Sequence, residues 1–168
     1  MRIILIGFMG SGKSSIAKLL GKQLGWKVLD TDELIEEKYN CKISELFESK
    51  GESSFREIEY DILNGIKLID QCIISTGGGI IEFEKNIELI KSNAKVVYLK
   101  TNPEKVFEFT KNDDHRPLLD VENPMETIRT KIKMREPLYE SLADIQIDAC
   151  DQSLEVSTAI IIDELKPI

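Results

Sequence analysis

Cations are in short supply in this 168-residue chain. Its 22 Lys and Arg stand against 30 Asp and Glu, a net charge of −8. That balance excludes a main role in coating nucleic acid or an anionic membrane, since both partners require clustered positive charge. A small anionic ligand is not excluded, because a few well-placed cations suffice for it. Only five cations are arginines, at Arg2, Arg56, Arg116, Arg129 and Arg135. The planar fork of Arg suits two-pronged recognition of carboxylate or phosphate, so these five positions can be taken one at a time. Cysteine is scarce as well: Cys41, Cys72 and Cys150 lie far apart without a C-x-x-C pair. This spacing suits neither a zinc site nor a disulfide framework, and is compatible with a reducing compartment. His115 is the single histidine, and we read it as exposed rather than catalytic. Long apolar runs are missing too. The run before Gly7 is Ile3–Ile6, with neither the h-region of a signal peptide nor the ~20 residues of a membrane span. The expectation is a cytoplasmic protein without membrane or nucleic-acid partners.

What is present is a hydrophobic fraction of 42%, enough for one core. The length predicts a single unit over 1–168 at ~100–200 residues per domain. Short apolar runs alternate with longer helix-period segments, the rhythm of a parallel sheet covered on both faces. Strands are predicted at Arg2–Gly7, Lys27–Leu29, Cys72–Ser75, Lys95–Leu99 and Ala143–Ile147. Helices are predicted at about 12–24, 32–39, 43–49, 53–68, 83–92, 103–109, 124–140 and 153–165. Ile58, Ile62, Leu63, Ile66 and Ile69 have the spacing of a buried helix face. Lys111–Asn123 breaks the rhythm: it is polar, carries Pro117 and has no apolar period. By itself it reads equally as a surface loop or as a functional, moving segment.

The strongest local signal is Gly7-Phe8-Met9-Gly10-Ser11-Gly12-Lys13-Ser14-Ser15, a match to G-x-x-x-x-G-K-S/T between an apolar strand and a helical pattern. Glycines let backbone N–H groups turn inward around phosphate oxygens, and the start of the helix adds a positive dipole end. Lys13 is placed for the outer phosphates, and the Ser14 hydroxyl for Mg²⁺. The chain therefore reads as binding a nucleoside triphosphate through Gly10, Ser11, Gly12, Lys13, Ser14 and Ser15. The guanine-reading N-K-x-D of a GTPase is missing, since Lys111–Asp114 has the wrong order. For a metal-holding acid, Asp30, Asp70 and Asp148 are candidates. Asp70 starts its strand and Asp148 ends the last one, whereas Asp30 ends the second strand, on the face of the phosphate loop.

Three strands thus end in chemistry: the phosphate loop, Asp30-Thr31-Asp32, and Ser75-Thr76-Gly77-Gly78-Gly79. Ligands in open α/β sheets gather beyond the carboxyl ends of the strands, so one crevice is expected there. Paired acids beside a triphosphate have separate tasks, one at Mg²⁺ and one at the proton of an attacking hydroxyl. Local sequence leaves alternatives open. Asp32 also suits a helix N-cap or first turn, and the three glycines also suit a flexible turn. Arg56 also suits a surface ion pair with Glu52 and Glu59, and Arg135 also suits a solvated position near a helix end at Pro137. Arg129 reads as helix surface, and Trp26 and Tyr139 as packing residues.

Taken together, the phosphate loop, D-T-D at Asp30–Asp32, F-R-x-x-E at Phe55–Glu59, S-T-G-G-G at Ser75–Gly79, R-P-L-L at Arg116–Leu119 and R-x-P-L-Y at Arg135–Tyr139 resemble shikimate kinase, over residues 2 to about 150. The resemblance implies a P-loop kinase of the nucleoside monophosphate kinase type, with a five-stranded parallel sheet in the order 2-3-1-4-5. It implies a substrate-binding helical region at about 32–60 and a lid at about 111–123. It also implies Mg²⁺-dependent transfer of the ATP γ-phosphoryl group to the 3-hydroxyl of shikimate, a step towards chorismate and the aromatic amino acids. On this pattern Asp32 meets the reacting hydroxyl and acts as base. Arg56 and Arg135 clamp the substrate carboxylate, and Gly77, Gly78 and Gly79 lie against the ring. Asp30 joins Ser14 at Mg²⁺, and Arg116 arrives with the lid as a catalytic, ATP-contacting charge beside Lys13. Many family members carry an adenine-stacking Arg where this chain has Phe109. A monomer is expected. The rival readings are a kinase for another hydroxy acid such as gluconate, and a regulatory nucleotide-binding module without catalysis.

Overall fold

The computed structural model describes residues 1–92, 94–110 and 122–165. Arg116, His115 and nearly all of the expected lid lie outside the described residues. Five strands, β1 (Arg2–Ile6), β2 (Lys27–Asp30), β3 (Cys72–Ser75), β4 (Ala94–Lys100) and β5 (Ile145–Asp148), form one sheet in the order β2-β3-β1-β4-β5. All four strand pairings are parallel. The strand order and direction that the family resemblance implied are therefore those observed.

The sheet is central because its inner strands are apolar on both faces. Every residue of β1 is buried. The two-residue period of a strand sends Ile4 and Ile6, with Ile74, Val96 and Tyr98, into one core cluster. Ile3 and Leu5, with Ile73, Val97 and Leu99, enter the other. Helices α1 (Lys13–Leu24) and α7 (Leu154–Glu164) contribute Ile16, Leu20 and Ile161 to that second cluster. Helices α4 (Glu84–Lys91) and α6 (Pro124–Leu142) contribute Ile90, Tyr139 and Leu142 to the first. Each fully buried side chain of this size is worth about 1.5–3 kcal/mol. At the sheet edge β5 alternates buried and exposed residues, as an outer strand should.

Helices α2 (Thr31–Tyr39) and α3 (Ile43–Ile66) stand beside the edge strand β2 and pack around a small core of their own, Ile35, Leu46, Phe55 and Ile58. The two helices expected over 43–68 are the two halves of α3, which meet at a kink where Gly51 leaves helical geometry, with φ 76° and ψ 168°. Glycine reaches that positive φ at little cost, so the two halves meet without a loop. Helix α5 (Pro103–Thr110) follows β4. Helix α6 runs through Pro137 to Leu142, two residues beyond the predicted 124–140. The burial of Tyr139 and Leu142 beyond the proline compensates the hydrogen bond that proline cannot donate. Among the described residues no helix is long and apolar enough to cross a membrane.

Candidate active site

The site is built where the carboxyl ends of β1, β2 and β3 meet. Leaving β1, the chain takes positive φ at Gly7, Gly10 and Gly12, at 147°, 74° and 86°. At Gly7 a side chain is also sterically barred, since a Cβ would stand 2.6 Å from the Leu99 carbonyl oxygen of the neighbouring strand. Gly12 then starts α1. The Lys13 ammonium is buried and donates to the carbonyls of Gly7 and Phe8, both at 2.8 Å, and to Ser11 Oγ at 3.3 Å. One cation thus ties the loop into a ring around itself. Phe109 is 65% exposed, and its Cβ lies against the other side of Gly10.

Asp30, the last residue of β2, has two tasks. Its Oδ1 accepts from the backbone N–H of Asp32 at 3.0 Å and of Glu33 at 3.5 Å, which makes Asp30 the N-cap of α2. Its Oδ2 accepts from the Ser14 hydroxyl at 2.7 Å, and the Ser75 hydroxyl lies 3.3 Å from Ser14. Of the N-cap and first-turn positions that local sequence left open for Asp32, the structure has the first turn of α2, where Asp32 is half-buried.

The three glycines after β3 work by close approach rather than by unusual backbone angles, since none has positive φ. A Cβ on Gly77 would lie 2.8 Å from Asp32 Oδ1 and 2.9 Å from Glu59 Oε1. On Gly78 it would lie 3.2 Å from the Met9 amide nitrogen of the phosphate loop, and on Gly79 only 2.2 Å from Arg56 Nη2. The segment is fastened: Gly77 N–H donates to Thr31 Oγ1, Thr76 Oγ1 donates to the Leu5 carbonyl, and the Tyr139 hydroxyl donates to the Gly78 carbonyl. This is a fixed wall and not a flexible turn.

Beside it stand two buried arginines, Arg56 directly against Gly79. Arg56, on α3, is 7% exposed and Arg135, on α6, is 2% exposed. Arg56 Nη1 pairs with Glu59 at 2.7 Å, while Nη2 pairs with Glu52 at 2.9 Å and with Glu82 Oε2 at 3.1 Å. Arg135 Nη2 pairs with the same Glu82 oxygen at 2.7 Å. Two guanidinium groups from distant parts of the chain therefore converge on one carboxylate oxygen. The Glu52 and Glu59 pairs that local sequence allowed for Arg56 are formed, though Arg56 is buried and not on the surface, and the solvated helix end allowed for Arg135 is excluded by its burial. Arg129, by contrast, is surface, paired with Glu104. A cavity of about 470 Å³ joins loop, acids, glycines and clamp, within the usual size range of small-molecule sites.

Glu59 belongs to the F-R-x-x-E motif but carried no assigned role in the sequence reading. Burial drives its carboxyl up to about 7; the Arg56 charge and hydrogen bond oppose this, and the nearby Asp32 reinforces it. An acid raised from an ordinary 4.5 to about 7 holds its proton in the folded state where the unfolded chain has lost it. Its contribution to stability is complete below the unfolded value and is lost as pH rises through the folded one. Denaturant melts over that window are expected to show wild-type stability falling with pH, and a shallower fall in Glu59→Gln. Parallel slopes would remove Glu59 from this effect.

Glu82 has no local signature, since it is an acid after a glycine run and its arginine partner Arg135 and the Arg56 helix are remote in sequence. Tyr139 packs as expected, 1% exposed and stacked on Tyr98 with 5.0 Å between centroids; its hydroxyl bond to Gly78 is the addition that only the fold shows.

Comparison with known proteins bears on the same residues. The family model described as shikimate kinase matches residues 9–166. The shikimate kinase of Actinobacillus pleuropneumoniae serotype 5b is 41% identical over 160 residues, covering 95% of this chain and 92% of that protein. That of Thermodesulfovibrio yellowstonii is 42% identical over 146 residues, covering 87% and 84%. Among solved structures, shikimate kinase from Acinetobacter baumannii in complex with shikimate superposes with a TM-score of 0.90 at 36% identity, covering 98% of this chain and 95% of that one. With a match that runs from the phosphate loop to the end of the last helix, this chain belongs to the shikimate kinase family.

Proposed function

We propose that this protein transfers the γ-phosphoryl group of ATP to the 3-hydroxyl of shikimate, giving shikimate 3-phosphate and ADP, within the route to chorismate. The observation that carries the reading is the convergence of Arg56 and Arg135 on one oxygen. Beside it stands Asp32, across the same cavity from the phosphate loop. A small ring acid with a hydroxyl to phosphorylate needs those three things at once: a carboxylate clamp, a base and a triphosphate cradle.

In this reading the glycine wall carries the ring and the two arginines hold its carboxylate, which turns the 3-hydroxyl towards Asp32. The hydroxyl oxygen forms a bond to the γ-phosphorus as the bond to the β,γ-bridging oxygen breaks. Its proton passes to Asp32, and ADP leaves with the bridging electrons. Lys13 and the loop N–H groups stabilise the phosphate oxygens throughout, so catalysis is mainly positioning and charge neutralisation. Ser14 and Asp30 offer a hydroxyl and a carboxylate side by side, an oxygen donor set that would hold Mg²⁺. When bound there, the ion supplies charge neutralisation at the β- and γ-phosphates. Arg116, in the proposed lid at about 111–123, adds positive charge to the transferring group, and closure keeps water from accepting it. Action as a cytoplasmic monomer belongs to the same proposal.

The test is ADP release from MgATP in the presence of shikimate, gluconate or nucleoside monophosphates. Shikimate is expected to stimulate release well above the others, and lack of stimulation would sink the reading. The clamp is tested separately by Arg135→Ala, for which the shikimate KM is expected to rise about 10²-fold, the scale of a lost charge-assisted pair. An unaltered KM would argue against the clamp.

A further inference from the structure

The clamp already holds a carboxylate. Glu82 closes the 3-10 turn Ile80–Glu82 that directly follows the glycine wall, its N–H donating to the Gly79 carbonyl. Ile80 and Ile81 are fully buried and fix the backbone beneath it. From there Glu82 Oε2 accepts from both Arg135 Nη2, at 2.7 Å, and Arg56 Nη2, at 3.1 Å.

Charge at this place is fully committed. Two guanidinium groups face the carboxylates of Glu52, Glu59 and Glu82, and Asp32 lies close enough to Glu59 to act on its titration. A substrate carboxylate entering with all of these in place would add an unpaired negative charge in a partly buried site, which is strongly unfavourable. One acid has to yield its place or its charge. Glu59 can take up a proton, but its side chain is 1% exposed and stays bound to the other nitrogen of Arg56, so it vacates no donor for the substrate. Glu52 pairs with Arg56 from one turn earlier on the same helix and does not reach Arg135. Among the described residues Glu82 alone bridges both arginines, and a third of its side chain is open to solvent, which gives it a way out. It also uses the clamp incompletely. Both contacts run through one of its two oxygens, and among the described residues the buried Arg135 Nε has no hydrogen-bond partner. An incoming carboxylate that engages both of its oxygens outbids it in hydrogen bonds.

We propose that Glu82 is an internal competitor for the substrate's carboxylate: it occupies the Arg56–Arg135 clamp in the free protein and swings towards solvent when the substrate binds. The proposal rests on the clamp reading above. It makes Glu82 a specificity-determining residue, because a ring alcohol without a carboxylate cannot displace it and meets a closed clamp.

The competitor lowers apparent affinity by the fraction of molecules in which the clamp is open. Glu82→Gln keeps the shape and removes the charge, and Glu82→Ala removes the group. In both, the shikimate Kd by calorimetry and the shikimate KM are expected to fall roughly 3–10-fold, the scale set by a clamp open in about 10–30% of molecules. If Glu82 merely held the arginines in place, Glu82→Gln and Glu82→Ala would bind shikimate more weakly, and equal or weaker binding in both overturns the proposal. Arg135→Ala separates the two levels. If it binds shikimate as tightly as wild type, the clamp fails and the competitor with it. If it binds weakly while the Glu82 variants are not tighter, only the competitor fails.

Discussion

Asp32→Asn is expected to lose about 10²–10⁴-fold in turnover, the usual span for a general base, while binding nucleotide as tightly as wild type. Asn has the size and shape of Asp but cannot take up the proton of the attacking hydroxyl. The nucleotide contacts proposed for Lys13 and the loop N–H groups are untouched by the change. Capping of α2 is untouched as well, because that task falls to Asp30, so lost turnover cannot be put down to a frayed helix. Glu59 is the other acid at this corner and its carboxyl titrates near 7, a suitable value for a base. It is, however, 1% exposed and bound to Arg56 at 2.7 Å, so it is held away from duty as a proton acceptor. Single-turnover kinetics with saturating MgATP and shikimate, together with nucleotide affinity, decide the matter. Turnover at the wild-type rate in Asp32→Asn would remove Asp32 from the mechanism.

Arg56→Met is expected to damage folding and substrate binding together. The guanidinium compensates the buried Glu59 carboxylate and two further acids. Removing one partner of a buried pair leaves the other uncompensated, at a cost of about 3–5 kcal/mol. Proton uptake by Glu59 relieves part of that cost, so the loss should be larger above the pH at which Glu59 titrates, about 7, than below it. The double variant Arg56→Met/Glu59→Gln is expected to recover most of the stability in denaturant melts. It should still show a greatly raised shikimate KM, because the clamp is still missing one arm. Recovery of both properties would mean that Arg56 is structural and does not hold substrate.

Where the sequence reading succeeded, the information was local. The phosphate loop carries its own geometry in glycines at positive φ. The strands of the inner sheet announce themselves as short apolar runs between helix-period segments, and Asp30 and Asp32 follow β2 directly. The boundary between the helices at 43–49 and 53–68 is local too, because Gly51 leaves helical geometry there; that Leu46 and Phe55 on either side of it share one small core is a tertiary fact. Arg135 was open between clamp and solvent because Pro137 signals a helix end, and that signal was overridden by the burial of Tyr139 and Leu142.

The amino-acid sequence by itself determined the class of fold, the phosphate cradle and the acids at the strand ends, because each depends on residues within a few positions of one another. Through its motif set it also placed the chain near its family. The tertiary structure decided what the arginines do. Their burial, their meeting on one oxygen of Glu82 and the burial that pushes the Glu59 carboxyl up are consequences of tertiary packing. They arise only when α3, α6 and the turn after β3 are packed around one cavity, where water no longer screens the charges. The net charge of −8 describes the surface. In the site, two guanidinium groups already sit among three carboxylates, so an anionic substrate has to enter by exchange and not by simple attraction.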